Sequence, residues 1–273
     1  MNRLGIEMVS AFGLPPVDYV NLAGDLGCAH ISVALYPFGI NPHGYAPFNL
    51  KEDAAQRGEM KAALRDRGVS ISLAEGLSVK PGIEARDRAA EFDAFAELGA
   101  KRINVVSLDP DLGRSFEQCA MLAEMAAERR MVSTLEFAPG LPIGDLPTAL
   151  EAIRYVGRPD FRLLIDTMHL IRSGAGTADL ARLDPALIDY VQLCDVPLVS
   201  QFPTYLQEAM TARKVPGEGE LPLLDILRSV PRDCVVGLEI PMLAEAEAGI
   251  GPLDRLRPAV AAAKALLARL DQI

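Results

Sequence analysis

Residues 161–194 read FRLLIDTMHLIRSGAGTADLARLDPALIDYVQLC: an apolar run closed by an acid, a weakly helical stretch near 177–183, and a second apolar run. Runs of six residues are too short for helices of a folded domain but suit strands buried on both faces. Their separation is too long for a hairpin, so the pair predicts a βαβ unit with parallel strands. The same alternation extends outward in both directions. Strand-like runs fall at LGIEMV (4–9), HISVAL (30–35), VSISLA (69–74), RINVVSL (102–108), VSTLEF (132–137), FRLLID (161–166), DYVQLC (189–194) and VVGLEI (235–240). Amphipathic stretches at 15–26, 50–67, 82–98, 115–130, 145–156, 177–183, 221–229 and 252–271 lie between and after them.

Local chemistry agrees with these boundaries. Asp145 precedes Leu146 and Pro147, a capping acceptor ahead of a first-turn proline. Gly68 and Gly99 follow helical stretches, where a left-handed cap belongs. Eight strand–helix units in 273 residues predict an α/β fold, a (β/α)8 TIM barrel, for which roughly 250 residues is usual. The competing open doubly wound sheet normally shows a Gly-rich phosphate turn early. SAFGLPP (10–16) contains neither G-x-G-x-x-G nor G-x-x-x-x-G-K. No linker or compositional break divides the chain, so one domain over 1–273 is expected.

Composition narrows the function. The chain carries 27 basic and 37 acidic side chains, a formal charge of −10, which would repel nucleic acid. Half of its residues are hydrophobic, enough for a substantial core and too many for disorder. The apolar runs are too short to span a bilayer, and Glu7 interrupts the position where a signal peptide would be apolar. A soluble, cytoplasmic protein with a small-molecule substrate is expected, and a homodimer is one expected assembly. Cysteines 28, 119, 194 and 234 form no C-x-x-C pair and read as packed thiols.

In a barrel of this kind chemistry gathers at the C-terminal ends of the strands. Glu136, Asp166, Gln192, Asp195 and Glu239 all sit there. Thr134 and Glu136, Leu164 and Asp166, and Gly237 and Glu239 share faces by the strand alternation. If those faces are the interior, three carboxylates converge and require a counter-charge. A divalent cation with oxygen ligands, Mn2+ or Mg2+, meets that need.

The run LEF, then LLIDTMHL with its D-x-x-H, VQLCDV, VPGEGELPLLDIL and GLEI resembles the xylose isomerase-like sugar isomerase/epimerase superfamily. The resemblance implies metal ligands at Glu136, Asp166 and Glu239, with Gln192 where the family commonly places a histidine. It also implies that Glu136 and Glu239 act as acid and base, and that His169 and Arg213 contact substrate. Three histidines in the whole chain are too few for the superfamily's trinuclear zinc nucleases.

The expected reaction is proton abstraction next to a carbonyl, with a metal-stabilised enediolate, in a sugar isomerase or epimerase. A metal-dependent dehydratase of a cyclic hydroxy-ketone and a metal-free binding barrel are the alternatives. Tyr36, Phe38, Tyr45, Phe48, Phe202 and Tyr205, six of the fifteen aromatic residues, fall in two loops suited to covering a ligand. Tyr36, His43, Glu7 and Asp195 join the candidate substrate-binding residues. Glu218, Glu245 and Glu247 place negative charge where barrels usually seat phosphate, which favours a non-phosphorylated ketose or cyclic polyol.

Overall fold

The computed structural model describes residues 2–272. Eight parallel strands close into a barrel in chain order: β1 (Leu4–Ile6), β2 (His30–Ala34), β3 (Ser70–Glu75), β4 (Arg102–Val105), β5 (Val132–Glu136), β6 (Phe161–Asp166), β7 (Ile188–Leu193) and β8 (Val235–Leu238). β8 returns to pair with β1, so no edge is left open. The helices are α1 (Pro16–Leu26), α2 (Ala54–Arg67), α3 (Ala89–Leu98), α4 (Leu112–Glu128), α5 (Leu146–Val156), α6 (Thr167–Arg172), α7 (Thr177–Leu180), α8 (Tyr205–Thr211), α9 (Leu223–Arg228), α10 (Leu243–Glu247) and α11 (Pro252–Leu270).

Alternation along the strands sorts two cores. Ile31, Val33, Ile103, Leu135, Ile165, Val191 and Leu238 pack outward in one large core with the helices. α11 contributes Leu256, Ala259, Val260 and Ala263, the one-face spacing of an amphipathic helix. Leu73, Leu164 and Tyr190 form a separate cluster, with Val235 packed against it. This inner layer underlies the polar residues higher in the barrel.

Two departures from the sequence reading position the site. The first strand stops at Ile6, and Met8–Ala11 turns as a 3-10 helix ending at Phe12 with φ 49°. Ser10 makes that turn possible by donating to the Leu238 carbonyl and accepting from the Ile240 amide. After β6 the chain enters α6 at once, well before 177–183, because the Asp166 carboxylate accepts from the His169 amide at 2.9 Å. The D-x-x-H spacing is therefore a helix N-cap with His169 in the first turn.

Candidate active site and metal centre

Asp166 is the hinge of the site because its two oxygens face different partners. Oδ1 receives the His169 amide and lies 3.6 Å from His169 Nδ1, while Oδ2 is bound by Arg213. From α6, His169 reaches back so that Nε2 lies 3.2 Å from Glu136 Oε1 and Nδ1 meets the Tyr205 hydroxyl. Asn104, one strand away on β4, donates to the other oxygen of Glu136. Both carboxylates are thus oriented before any ligand arrives.

Arg213 enters from the loop after α8. Its neighbours are clamped by antiparallel bridges, Ala212 to Met242 and Lys214 to Asp195, which tie the segment to the ends of β7 and β8. The buried guanidinium gives Nε to the Ala209 carbonyl at 2.8 Å, Nη1 to Asp166, and Nη2 to Glu239 Oε1 at 2.8 Å. Burial works against the Asp166 charge, but Arg213 and His169 together hold its carboxyl below the usual range. Burial likewise opposes the Arg213 cation, and its two carboxylate partners raise its pKa above that of an ordinary arginine.

Below Glu239 lies a second acidic layer. Glu7 is wholly buried, with Oε1 accepting from the Tyr190 hydroxyl at 2.7 Å and Oε2 without a partner among the described residues. Its carboxyl fills the space where a Cβ on Gly237 would stand, so glycine is required there by packing and not by backbone conformation. Burial and the neighbouring Glu239 charge push Glu7 up to about 7, against the Tyr190 hydrogen bond. Glu75, at the end of β3, is raised well above a normal carboxyl by burial and by Glu7. Glu239 is raised in the same direction by burial. Asp166, Glu136 and Glu75 add to that effect, and together they outweigh Arg213. Burial among acids thus favours the protonated form of Glu239, while its Oε1 accepts from Arg213.

A cavity of about 380 Å3 opens over this layer, with Glu75, Glu136, His169, Arg213 and Glu239 on its polar side. Val9, Phe38, Leu108, Leu141, Tyr205 and Met210 supply much of the apolar side. Hollows of about 610 and 620 Å3 lie elsewhere, one beside α11 with Asp195 on its lining and one around Arg3 and His30, and neither contains Glu136, Asp166 or Glu239.

The structure therefore brings together Glu136, Asp166, His169, Arg213 and Glu239, and sets Glu7 beneath them. Gln192, paired in register with Asp166 and Gly237, is buried with both amide atoms unpartnered among the described residues. Asp195 does not line the cavity. Its carboxylate accepts from the amides of Val196, Gly217 and Leu221 and so folds the PGEGEL loop. Nor do Tyr36 and His43 line it: Tyr36 is largely exposed, and His43 Nε2 lies 3.3 Å from Arg255 Nη1. Glu75 and Asn104 are site residues that the sequence reading missed. Alternation with Leu73 would have signalled Glu75. Burial pushes the Cys194 thiol up to about 12, which leaves it a packed thiol.

Glu136, Asp166 and His169 each direct one ligand atom into a group lying within 4.8 Å of one another. Two carboxylate oxygens and an imidazole nitrogen fit a divalent transition ion, and Gln192, in register with Asp166 on the next strand, has an unpartnered buried amide among the described residues. His169 thus joins the donors that the sequence reading assigned to strand ends alone, while Glu239 is engaged by Arg213.

Comparison with known proteins gives one family and several relatives. The family model described as xylose isomerase-like TIM barrel matches residues 20–266. A 2-epi-5-epi-valiolone 7-phosphate 2-epimerase from Actinoplanes sp. is 31% identical over 162 residues, 54% of this chain and 58% of that enzyme. The matched stretch spans little more than half of the relative's length. The solved structure of the IOLI protein with a bound zinc atom superposes with a TM-score of 0.78 at 16% identity, covering 98% of this chain and 99% of that one. A probable 3-DHS dehydratase, AsbF, from Bacillus anthracis superposes at 0.72 with 17% identity, covering 97% and 99%. At these identities the two structures share the fold.

Proposed function

Since the chain belongs to the xylose isomerase-like TIM barrel family, we propose that it is a metal-dependent sugar isomerase or epimerase acting on a non-phosphorylated ketose or cyclic polyol. The observation that carries this reading is a pair of carboxyls in unlike environments facing one cavity. Burial among other acids raises the Glu239 carboxyl well above the usual range, whereas Glu136 accepts from Asn104 and faces His169 Nε2. Two acids differentiated by their surroundings are suited to donating and taking a proton.

Glu136 removes the proton next to the substrate carbonyl, and Glu239 returns one to the resulting carbon. Asn104 and His169 fix the direction of the base. Burial, with Asp166, Glu136 and Glu75 nearby, favours the proton on Glu239. A divalent ion, Mn2+ or Mg2+, held by Glu136, Asp166 and His169 would supply Lewis-acid stabilisation for charge developing on substrate oxygens. The apolar wall of Leu108, Leu141, Tyr205 and Met210 excludes water around the reacting carbon. Arg213 is the only arginine or lysine lining the cavity among the described residues, and its guanidinium is already committed to Asp166 and Glu239. That supports a substrate without phosphate.

Incubation of the Mn2+-supplemented protein with a ketohexose or a cyclic hydroxy-ketone in D2O tests the proposal. Deuterium entering at the carbon next to the carbonyl, followed by NMR, is expected. A conjugated ultraviolet chromophore in place of exchange would identify a dehydratase, and neither signal would favour a binding protein.

A further inference from the structure

Arg213 differs from every other arginine in the site region because each of its donor nitrogens is committed inside the barrel mouth. Nε is spent on the Ala209 carbonyl, Nη1 on Asp166 with Cys194 Sγ at 3.4 Å, and Nη2 on Glu239. The side chain is buried, and the bridges at Ala212 and Lys214 fix the backbone from which it extends. A solvated arginine could drift from such partners at little cost. A buried one is held by them, and they by it.

The acids around it make the placement consequential. Asp166 already gives Oδ1 to His169 and Oδ2 to Arg213, so a second cation can draw on its charge only by sharing or displacing the guanidinium. Glu239 stands on the other prong of the same fork. The guanidinium therefore bridges Asp166, one of the three candidate metal donors, to Glu239, which lies outside that group.

We infer that Arg213 is the resident counter-cation of this site: it holds Asp166 and Glu239 together in the metal-free protein and competes with a divalent ion for Asp166, the one carboxylate it shares with the Glu136, Asp166 and His169 group. The inference rests on the metal-dependent reading above but not on the identity of the substrate. It makes metal binding and guanidinium pairing opposed, and such coupling is reciprocal.

The test titrates Mn2+ into the metal-stripped full chain and its Arg213→Met and Arg213→Lys variants. Free ion is read by electron paramagnetic resonance, and melting is followed in parallel. Arg213→Met is expected to bind Mn2+ on the order of tenfold more tightly than the parent, within the usual span of coupling between sites. Its metal-free form should melt lower, and added Mn2+ should raise its melting temperature further than the parent's. Arg213→Lys keeps the charge but loses the two-pronged geometry, and should fall between. If Arg213→Met folds only with Mn2+ present, that is the same competition at its limit, and Arg213→Lys then carries the affinity comparison. Equal or weaker Mn2+ binding in the variants that fold overturns the inference, because removal of a residue that merely braced the ligands would loosen them. Absence of Mn2+ binding in all three proteins overturns it as well. No substrate enters the experiment, so failure of the sugar-epimerase reading is scored separately.

Discussion

Arg213 Nη2 lies 2.8 Å from Glu239 Oε1, and the same guanidinium grips Asp166 on the neighbouring side of the barrel mouth. The crowding of acids evident at the strand ends is thus relieved in two ways at once. One cation is built into the chain, and burial favours the protonated forms of Glu7 and Glu239. Both devices prepare a site for proton transfer.

Replacement of Glu239 by Gln removes the proton donor while keeping its shape and its bond to Arg213. Turnover should fall roughly 100- to 10,000-fold, the usual contribution of a positioned acid or base. The circular dichroism spectrum should be unchanged. Glu136→Gln should give a comparable loss. Retention of full activity by either variant would remove that residue from the mechanism.

Glu7 provides a pH signature in stability. Its folded-state carboxyl is raised from 4.5 to about 7, so the folded chain binds the extra proton and its stabilising effect is complete below the unfolded value. That effect is lost as pH rises through about 7, a change on the order of 3 kcal/mol for a rise of this size. Urea unfolding at pH 5.5 and 8.5 should therefore show the parent weakening toward the alkaline side. The Glu7→Gln variant should show a flatter profile and the greater stability of the two at pH 8.5.

The fit between Gly237 and Glu7 is open to a double-mutant cycle. A methyl group at 237 would collide with the Glu7 carboxyl, so Gly237→Ala should destabilise by at least the ~1–3 kcal/mol typical of overpacking. In a Glu7→Ala background the nearest remaining neighbour of the methyl is the Tyr190 hydroxyl, 2.8 Å away, and the cost should be clearly smaller. Additive effects of the two substitutions, measured by denaturant unfolding, would contradict the packing described.

Much of this was legible in the residues themselves. Glu136, Asp166 and Glu239 each close an apolar run, and a closed parallel barrel turns that one-dimensional regularity into a ring of acids. Glu75 obeys the same rule, but the apolar run VSISLA stops at Ala74, one residue short of it. The role of Arg213 was harder to see. Its place depends on bridges from Ala212 to Met242 and from Lys214 to Asp195, contacts between loops that carry no periodic signal. Asp195 misled for the opposite reason. It occupies a strand end as a catalytic acid would, yet three backbone amides of its own loop claim its carboxylate. The six-residue α6 is too short for its period to stand out, although the capping spacing of Asp166 and His169 marks its start.

Anomalous diffraction from a crystal soaked in Mn2+ tests the central claim most directly. A single strong peak bounded by Glu136, Asp166 and His169 is the predicted result, with the Arg213 fork displaced from at least one of its two carboxyl partners. A peak confined to some other part of the surface, or none at full soak, would contradict the account of these acids as a metal-assisted proton-transfer site.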